Sequence, residues 1–275
     1  MNPSVEPVFL TSLVPTALEA VEQFSAAEAG YLELSLFCGP RHFNPADGDA
    51  VDALKQALAR TGVEVFSVHA SFGATFDLST LEGTVRQHAV ETHLAEMRLA
   101  AELGAQAVVV HPVGSGCPEA SQRADRLAAS AASLSALAAA AVDLGLNLAV
   151  ENMTPHNPAD DLDELVALVD GLHCPRAGFC FDTGHCHLNG IAQSRMISAF
   201  ADRLHVIHWH DNNGERDEHL NPGAGNIDWE DYYAGLAAIG FDAPVTVEAS
   251  NRGLILSEFV RVARLALDER RAMYV

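Results

Sequence analysis

The sequence predicts an α/β protein built as a single closed (β/α)8 barrel of the TIM type, with residues 1–275 forming one domain. Three observations lead there. Eight short apolar runs alternate with helical stretches, and alternation of this kind implies a parallel sheet. Five of the runs follow a helix-closing glycine, at Gly30, Gly62, Gly104, Gly145 and Gly240. No linker, low-complexity tract or charge block divides the chain, and eight units at this length suit a barrel better than an open doubly wound sheet. The open sheet would carry a glycine-rich phosphate loop after an early strand, and Val113-Gly-Ser-Gly-Cys117 only faintly resembles one.

In order, the predicted strands are Pro7–Ser12, Tyr31–Phe37, Val63–His69, Ala105–His111, Leu146–Glu151, Ala177–Phe181, Leu204–His208 and Phe241–Glu248. Between the third and fourth, Val90, Leu94, Met97 and Ala101 share one helical face, behind a capping box at Ser79 and Glu82. The small-residue stretch from Arg123 to Asp143 suits an outer-ring helix lying close on a sheet. Asp228 reads as the N-cap of a helix running to Ile239.

Composition narrows the function. Sixteen basic residues face thirty-seven acidic ones, giving −21, and Lys55 is the only lysine. Gripping nucleic acid requires Lys and Arg against phosphates, so this surface is expected to repel a polyanion, and a small neutral substrate fits better. No run of eighteen apolar residues appears, so no membrane span is expected. The first residues lack a basic region before an apolar stretch, as a signal peptide would have. Five cysteines (Cys38, Cys117, Cys174, Cys180 and Cys186) at unrelated spacings suit free thiols in a reducing compartment. The expectation is a cytoplasmic protein, free to form homo-oligomers.

In a barrel of this type the active site lies at the carboxyl ends of the strands. The ends of the last six strands are His69, His111, Glu151, Asp182, His208 and Glu248, all metal-ligand residue types. Three carboxylates around one mouth would repel one another, and a cation lets them stay ionised together. Asp182 can also serve as a helix N-cap. An unpaired carboxylate at Glu151 or Glu248, each behind an apolar strand, would be costly. Strand alternation puts His208 and His210 on one face and His205 on the other, so His205 reads as structural, as does His187. Asp217 and His219 fit either the site or a solvated loop.

These residues resemble the xylose-isomerase-like barrel superfamily, which includes sugar and sugar-phosphate isomerases and epimerases as well as endonuclease IV. The resemblance runs from Val63 to Glu248. It rests on Val-Val-His111-Pro, Glu151-Asn152, Phe-Asp182-Thr-Gly-His185, His208-Trp-His-Asp211, Asp217-Glu-His219 leading to Pro222-Gly-Ala-Gly225-Asn-Ile-Asp-Trp229, and Val-Thr-Val-Glu248. It implies one divalent ion (Mn, Co, Mg or Zn) on Glu151, Asp182, His208 and Glu248. In the endonuclease-type alternative it implies three zinc ions. There His69 and His111 join Glu151 at the first ion, the same four residues hold the second, and His185, Asp217 and His219 hold the third.

The resemblance therefore implies a sugar isomerase or epimerase acting through an enediolate, with Glu151 and Glu248 as acid and base. An abasic-site endonuclease is the alternative, as is a lyase or dehydratase acting on a keto-sugar or keto-acid. Arg41-His42-Phe43 and Phe72 correspond to loops that would enter a DNA groove in the nuclease. In the sugar enzymes the extra histidines can bind substrate instead of metal. Arg216 is the expected contact to a terminal hydroxyl or phosphate of the substrate, and Trp209 and Phe72 are candidate apolar walls.

Overall fold

A computed structural model describes residues 6–114, 120–250 and 253–274. Eight parallel strands pair in sequence order and close on themselves: β1 (Pro7–Leu10), β2 (Tyr31–Ser35), β3 (Glu64–His69), β4 (Ala107–Val110), β5 (Asn147–Glu151), β6 (Ala177–Asp182), β7 (Leu204–Trp209) and β8 (Val245–Val247). The last returns to the first, with Val8 opposite Thr246. Outside lie α1 (Ala17–Ala26), α2 (Gly48–Thr61), α3 (Gly83–Glu102), α4 (Arg123–Leu144) and α5 (Leu162–Asp170). After β6 come a short α6 (Thr183–Leu188) at the barrel mouth and then α7 (Gln193–Phe200). The ring is completed by α8 (Trp229–Ile239) and α9 (Leu256–Tyr274).

Period-two alternation gives each strand an outer and an inner face. Outward residues such as Leu32, Val68, Val108, Val150, Phe179 and Trp209 join the large core beneath the helices. Inside, Val8, Tyr31, Phe66, Val109, Ala149, Cys180 and Val206 form a separate apolar layer. One layer nearer the carboxyl end, the inward residues turn polar: Glu33, Ser67, His69, Glu151, Asp182, His208 and Thr246 are all buried. The site stands on this polar layer, with the apolar one as its floor.

Two irregularities adjust the layers. The β2–β3 register shifts so that Glu33 faces Ser67. A second shift, between β6 and β7, skips His205, so the simple alternation expected for that residue fails. The His205 ring fills the space that a side chain on Gly178 would need. Its role is structural, as the sequence implied.

Other local expectations need correction. Gly62, Gly104, Gly145 and Gly240 do adopt left-handed backbone after their helices, but in the first unit Glu28 takes it (φ 65°) instead of Gly30, because α1 ends at Ala26. Glu82 is the N-cap of α3 without a side-chain bond. Ser79 instead donates its hydroxyl to Asp77 at 2.7 Å and accepts from Arg126. The buried stripe of α3 includes Ala89, His93, Glu96, Met97 and Ala100, with Val90, Leu94 and Ala101 flanking it. Polar groups take that face because Glu96 accepts from both the N–H and the hydroxyl of Ser71. Helix α4 is long and apolar enough by composition to cross a membrane, with a mean hydropathy of 1.6. Here it is an outer-ring helix that buries Leu134, Leu137, Ala138 and Ala141 on the barrel.

His42 bonds to Thr11 and Pro15 and Phe43 is in the core, so these two side chains face the interior, while Arg41 is exposed. The Gly114 amide is tied to Asp77, and Cys117 lies outside the described residues. Asp228 caps α8 as expected.

Candidate active site

Inward ends of successive strands bring the candidate ligands to one point. His69, Glu151 and Asp182 are the last residues of β3, β5 and β6. His208 is the penultimate residue of β7, while His111 and Glu248 come one residue after β4 and β8. His69, His111, Glu151 and Glu248 border a cavity of about 510 Å³ that also carries Phe37, Phe72, His185, Asp217 and His219, and Asp182 and His208 lie buried behind them.

One ligand atom each from Glu151, Asp182, His208 and Glu248 lies within 4.8 Å of all the others. His208 Nδ1 is 3.0 Å from Glu248 Oε2 and 3.6 Å from Glu151 Oε1. On the far side of Glu151, its Oε2 stands 3.2 Å from His111 Nε2 and 3.5 Å from His69 Nε2. A third group joins His185 Nε2 and His219 Nε2 to Asp217 Oδ2, at 3.3 and 3.0 Å.

Backbone carbonyls set the histidine tautomers. Nδ1 of His69 donates to the carbonyl of Ala70, that of His185 to Asn152, and that of His219 to Glu248. Each Nε2 is thereby left facing a carboxylate, as in metal sites whose ligands are oriented from behind. His208 Nδ1, His111 Nε2, Glu151 Oε2 and Glu248 Oε2 are buried and make no hydrogen bond within the protein. Buried polar atoms normally find partners, and a divalent cation held by Glu151, Asp182, His208 and Glu248 would satisfy His208 Nδ1 and Glu248 Oε2. The donor set fits such an ion.

The electrostatics agree. Burial opposes ionisation of Glu151, yet His111 and His208 hold its carboxyl well below the usual range. Burial likewise opposes the charged form of Asp182, and His185 and His210 bring it down to about 2. Desolvation disfavours charge on His219, but Asp217 and Glu248 push it up to about 10. The pocket is therefore built to keep its carboxylates ionised and to attract positive charge.

Asp182 has two jobs. Its Oδ1 caps α6 by accepting the His185 N–H at 2.6 Å, and both of its oxygens lie within 3.0 Å of His210 Nε2. Asp217 and His219 are brought inward because Asp211 and Leu220 pair as an antiparallel bridge and His219 adopts φ 46°. Both stay partly exposed while their side chains meet at the cavity. Asp211 itself is buried under the Pro222–Trp229 turn, accepting from the Gly223 amide and the Trp229 indole.

Two expectations, for Arg216 and Trp209, come out differently. Arg216 does not reach the cavity: its side chain is 81% exposed, with Glu218 3.7 Å away. Trp209 packs on the outer face and is no wall, whereas Phe72 stacks on His111 with ring centroids 4.3 Å apart. His187 bonds to Asn226 on the surface side, consistent with a structural role. Two residues of the site were not singled out from the sequence. Glu33 is fully buried beneath His208, and His210 clamps Asp182. Nothing in the sequence signalled an inward Glu33, which sits on a strand alternating polar and apolar residues. His210 shares a strand face with His208.

The closed barrel carries these candidate ligands at the carboxyl ends of its strands. The chain belongs to the xylose isomerase-like TIM barrel family, whose pattern matches residues 22–273. A ketose 3-epimerase of Arthrobacter globiformis is 26% identical over 216 residues, spanning 77% of this chain and 72% of that protein. A probable endonuclease 4 of Mycobacterium tuberculosis is 27% identical over 261 residues, spanning 88% and 94%. In fold, the chain is similar to the crystal structure of a D-tagatose 3-epimerase-like protein, with a TM-score of 0.85, 23% identity and 98% of both chains covered.

Proposed function

We propose that this chain is a divalent-metal-dependent epimerase or isomerase of a small sugar or polyol, moving a proton on the carbon beside a carbonyl. The observation that carries this reading is the pair Glu151 and Glu248. Both approach His208 Nδ1 in the same ligand cluster, but they come from strands three barrel positions apart. Two carboxylates so placed can serve opposite faces of one substrate carbon.

A divalent ion held by Glu151, Asp182, His208 and Glu248 would supply Lewis-acid stabilisation of the enediolate. One carboxylate takes the C–H proton, whose electron pair moves onto the carbonyl oxygen. The other, as a carboxylic acid, returns a proton to the opposite face, which gives epimerisation. Return to the neighbouring carbon gives isomerisation. Phe37 and Phe72 form an apolar side to the cavity, where a ring or chain of C–H groups can rest. His185 and His69 are placed to bond substrate hydroxyls. No lysine or arginine lines the cavity among the described residues, which favours an uncharged sugar over a sugar phosphate. The names of the epimerase relative and the structural neighbour support the same class.

The test is incubation of the Mn²⁺-loaded protein with a panel of ketoses and aldoses in D2O, followed by NMR. Deuterium entry beside the carbonyl together with a new epimer or isomer is expected. No exchange into any sugar would sink the proposal. A second reading, cleavage at abasic sites in DNA, is favoured by one observation: all nine residues of the three-zinc pattern converge here. The net charge of −21 opposes it. Incision of an abasic duplex at moderate salt would establish it.

A further inference from the structure

Glu33 is a fully buried carboxylate in the interior of the barrel, and the proposed reaction leaves it without a task. An ionised carboxylate at that depth is costly unless its partners are specific, and they are. Ser67 donates its hydroxyl to Oε2 at 2.6 Å, through the register shift that sets Glu33 opposite Ser67. His208 Nε2 lies 3.2 Å from Oε1 and 3.4 Å from Oε2. The opposite nitrogen of the same ring, Nδ1, points at Glu248 and Glu151 and makes no hydrogen bond.

We infer that Glu33 is a positioning residue that acts on the metal centre through His208, holding its Nε2–H so that the Nδ1 lone pair faces the ligand cluster. The inference rests on reading that cluster as a metal centre. An imidazole presents one lone pair only, and the hydrogen bond at one nitrogen decides which atom carries it. His69, His185 and His219 are each oriented by a backbone carbonyl at Nδ1 and offer Nε2. His208 is reversed, and no carbonyl holds its Nε2; a side-chain carboxylate does. A carboxylate behind a ligating histidine also makes it a stronger donor than a carbonyl would. Ser67 fixes the carboxylate in turn, so the chain of control runs from β3 through β2 to β7.

The test uses Mn²⁺ alone, without sugar, so its outcome is independent of whether any sugar turns over. Calorimetry of wild type, Glu33→Gln, Glu33→Met and Ser67→Ala gives the Mn²⁺ affinity, and ¹⁵N NMR of the histidines in the metal-free protein gives the His208 tautomer. For Glu33→Met a loss of about 10–100-fold in affinity is expected, with smaller losses for Glu33→Gln and Ser67→Ala. The Nε2–H signal of His208 should be lost or mixed in Glu33→Met. If Glu33→Met does not fold, Glu33→Gln carries the test, because it keeps the shape and loses only the charge. Wild-type affinity in a folded Glu33 variant, or an unchanged tautomer in Glu33→Met, overturns the inference and leaves the metal-centre reading intact. Failure of the wild-type protein to bind Mn²⁺ overturns both.

Discussion

The two-carboxylate mechanism makes a directional prediction for Glu151→Gln and Glu248→Gln. If Glu151 removes the proton from one epimer and Glu248 from the other, each single variant retains one working base. Losing a general base lowers the rate by about 10²–10⁴, or about 3–5 kcal/mol of barrier. Conversion between epimers needs both groups and should fall by that factor in either variant. Exchange with solvent needs only one. Glu151→Gln should still wash deuterium into the epimer served by Glu248, and Glu248→Gln into the opposite one. Both residues are also candidate ligands, so the assay runs at saturating Mn²⁺ with the bound metal counted in each variant. Glu151 is the more sensitive of the two. Its oxygens face His111, His69, His185 and His208 between 3.2 and 3.6 Å, so its loss unsettles more of the site than loss of Glu248. Full wash-in into both epimers by both metal-loaded variants would refute the mechanism. So would retention of the same epimer by both.

Three further outcomes follow from the surrounding structure. Arg126 and Asp77 form a buried ion pair at 2.6 Å between the β3–α3 connection and α4. Arg126→Met removes the counter-charge of Asp77, leaving it hydrogen bonds from Ser79 and Gly114, and should cost about 3 kcal/mol in urea unfolding; an unchanged midpoint would show the pair to be dispensable. A Cβ at Gly184 would overlap the His210 ring. Gly184→Ala should therefore push His210 off Asp182 and weaken Mn²⁺ binding about tenfold, as calorimetry would show, whereas wild-type affinity would mean that the His210 clamp is idle. Burial lowers the pKa of His93 from 6.5 to about 4. Below pH 6.5 the unfolded chain takes up that proton first, so stability falls as the pH drops towards 4, by about 3 kcal/mol in all. Urea unfolding at pH 7 and 4.5 should show a smaller acid loss in His93→Leu, and equal losses would remove His93 as the cause.

The residues that could be read from the sequence were those where one physical signal pointed one way. At the ends of β5 and β6, an apolar strand stops on a carboxylate, and burial there without a counter-charge would be prohibitive. Glu151 and Asp182 were therefore visible as candidate site residues, and the glycine-punctuated strand–helix alternation made the barrel visible with them. Glu33 gave the opposite impression. Tyr31-Leu-Glu-Leu-Ser alternates polar and apolar residues, the pattern of a strand with one face in water. Here the apolar face lies under helices and the polar face lies inside the barrel, at the level where the interior turns from apolar to ionic. That level is set jointly by all the strands, so no window on β2 alone contains it. Arg216 failed for a related reason. A cation six residues beyond His210 in sequence need not be near it in space, and the Asp211–Leu220 bridge turns Asp217 and His219 towards the cavity while leaving Arg216 in solvent. The same bridge makes the third histidine–carboxylate group a product of loop geometry, while the four-residue cluster is a product of strand register. The two should therefore separate on perturbation: loosening the loop should move Asp217 and His219 away from His185, which α6 holds, and leave Glu151, Asp182 and His208 in place.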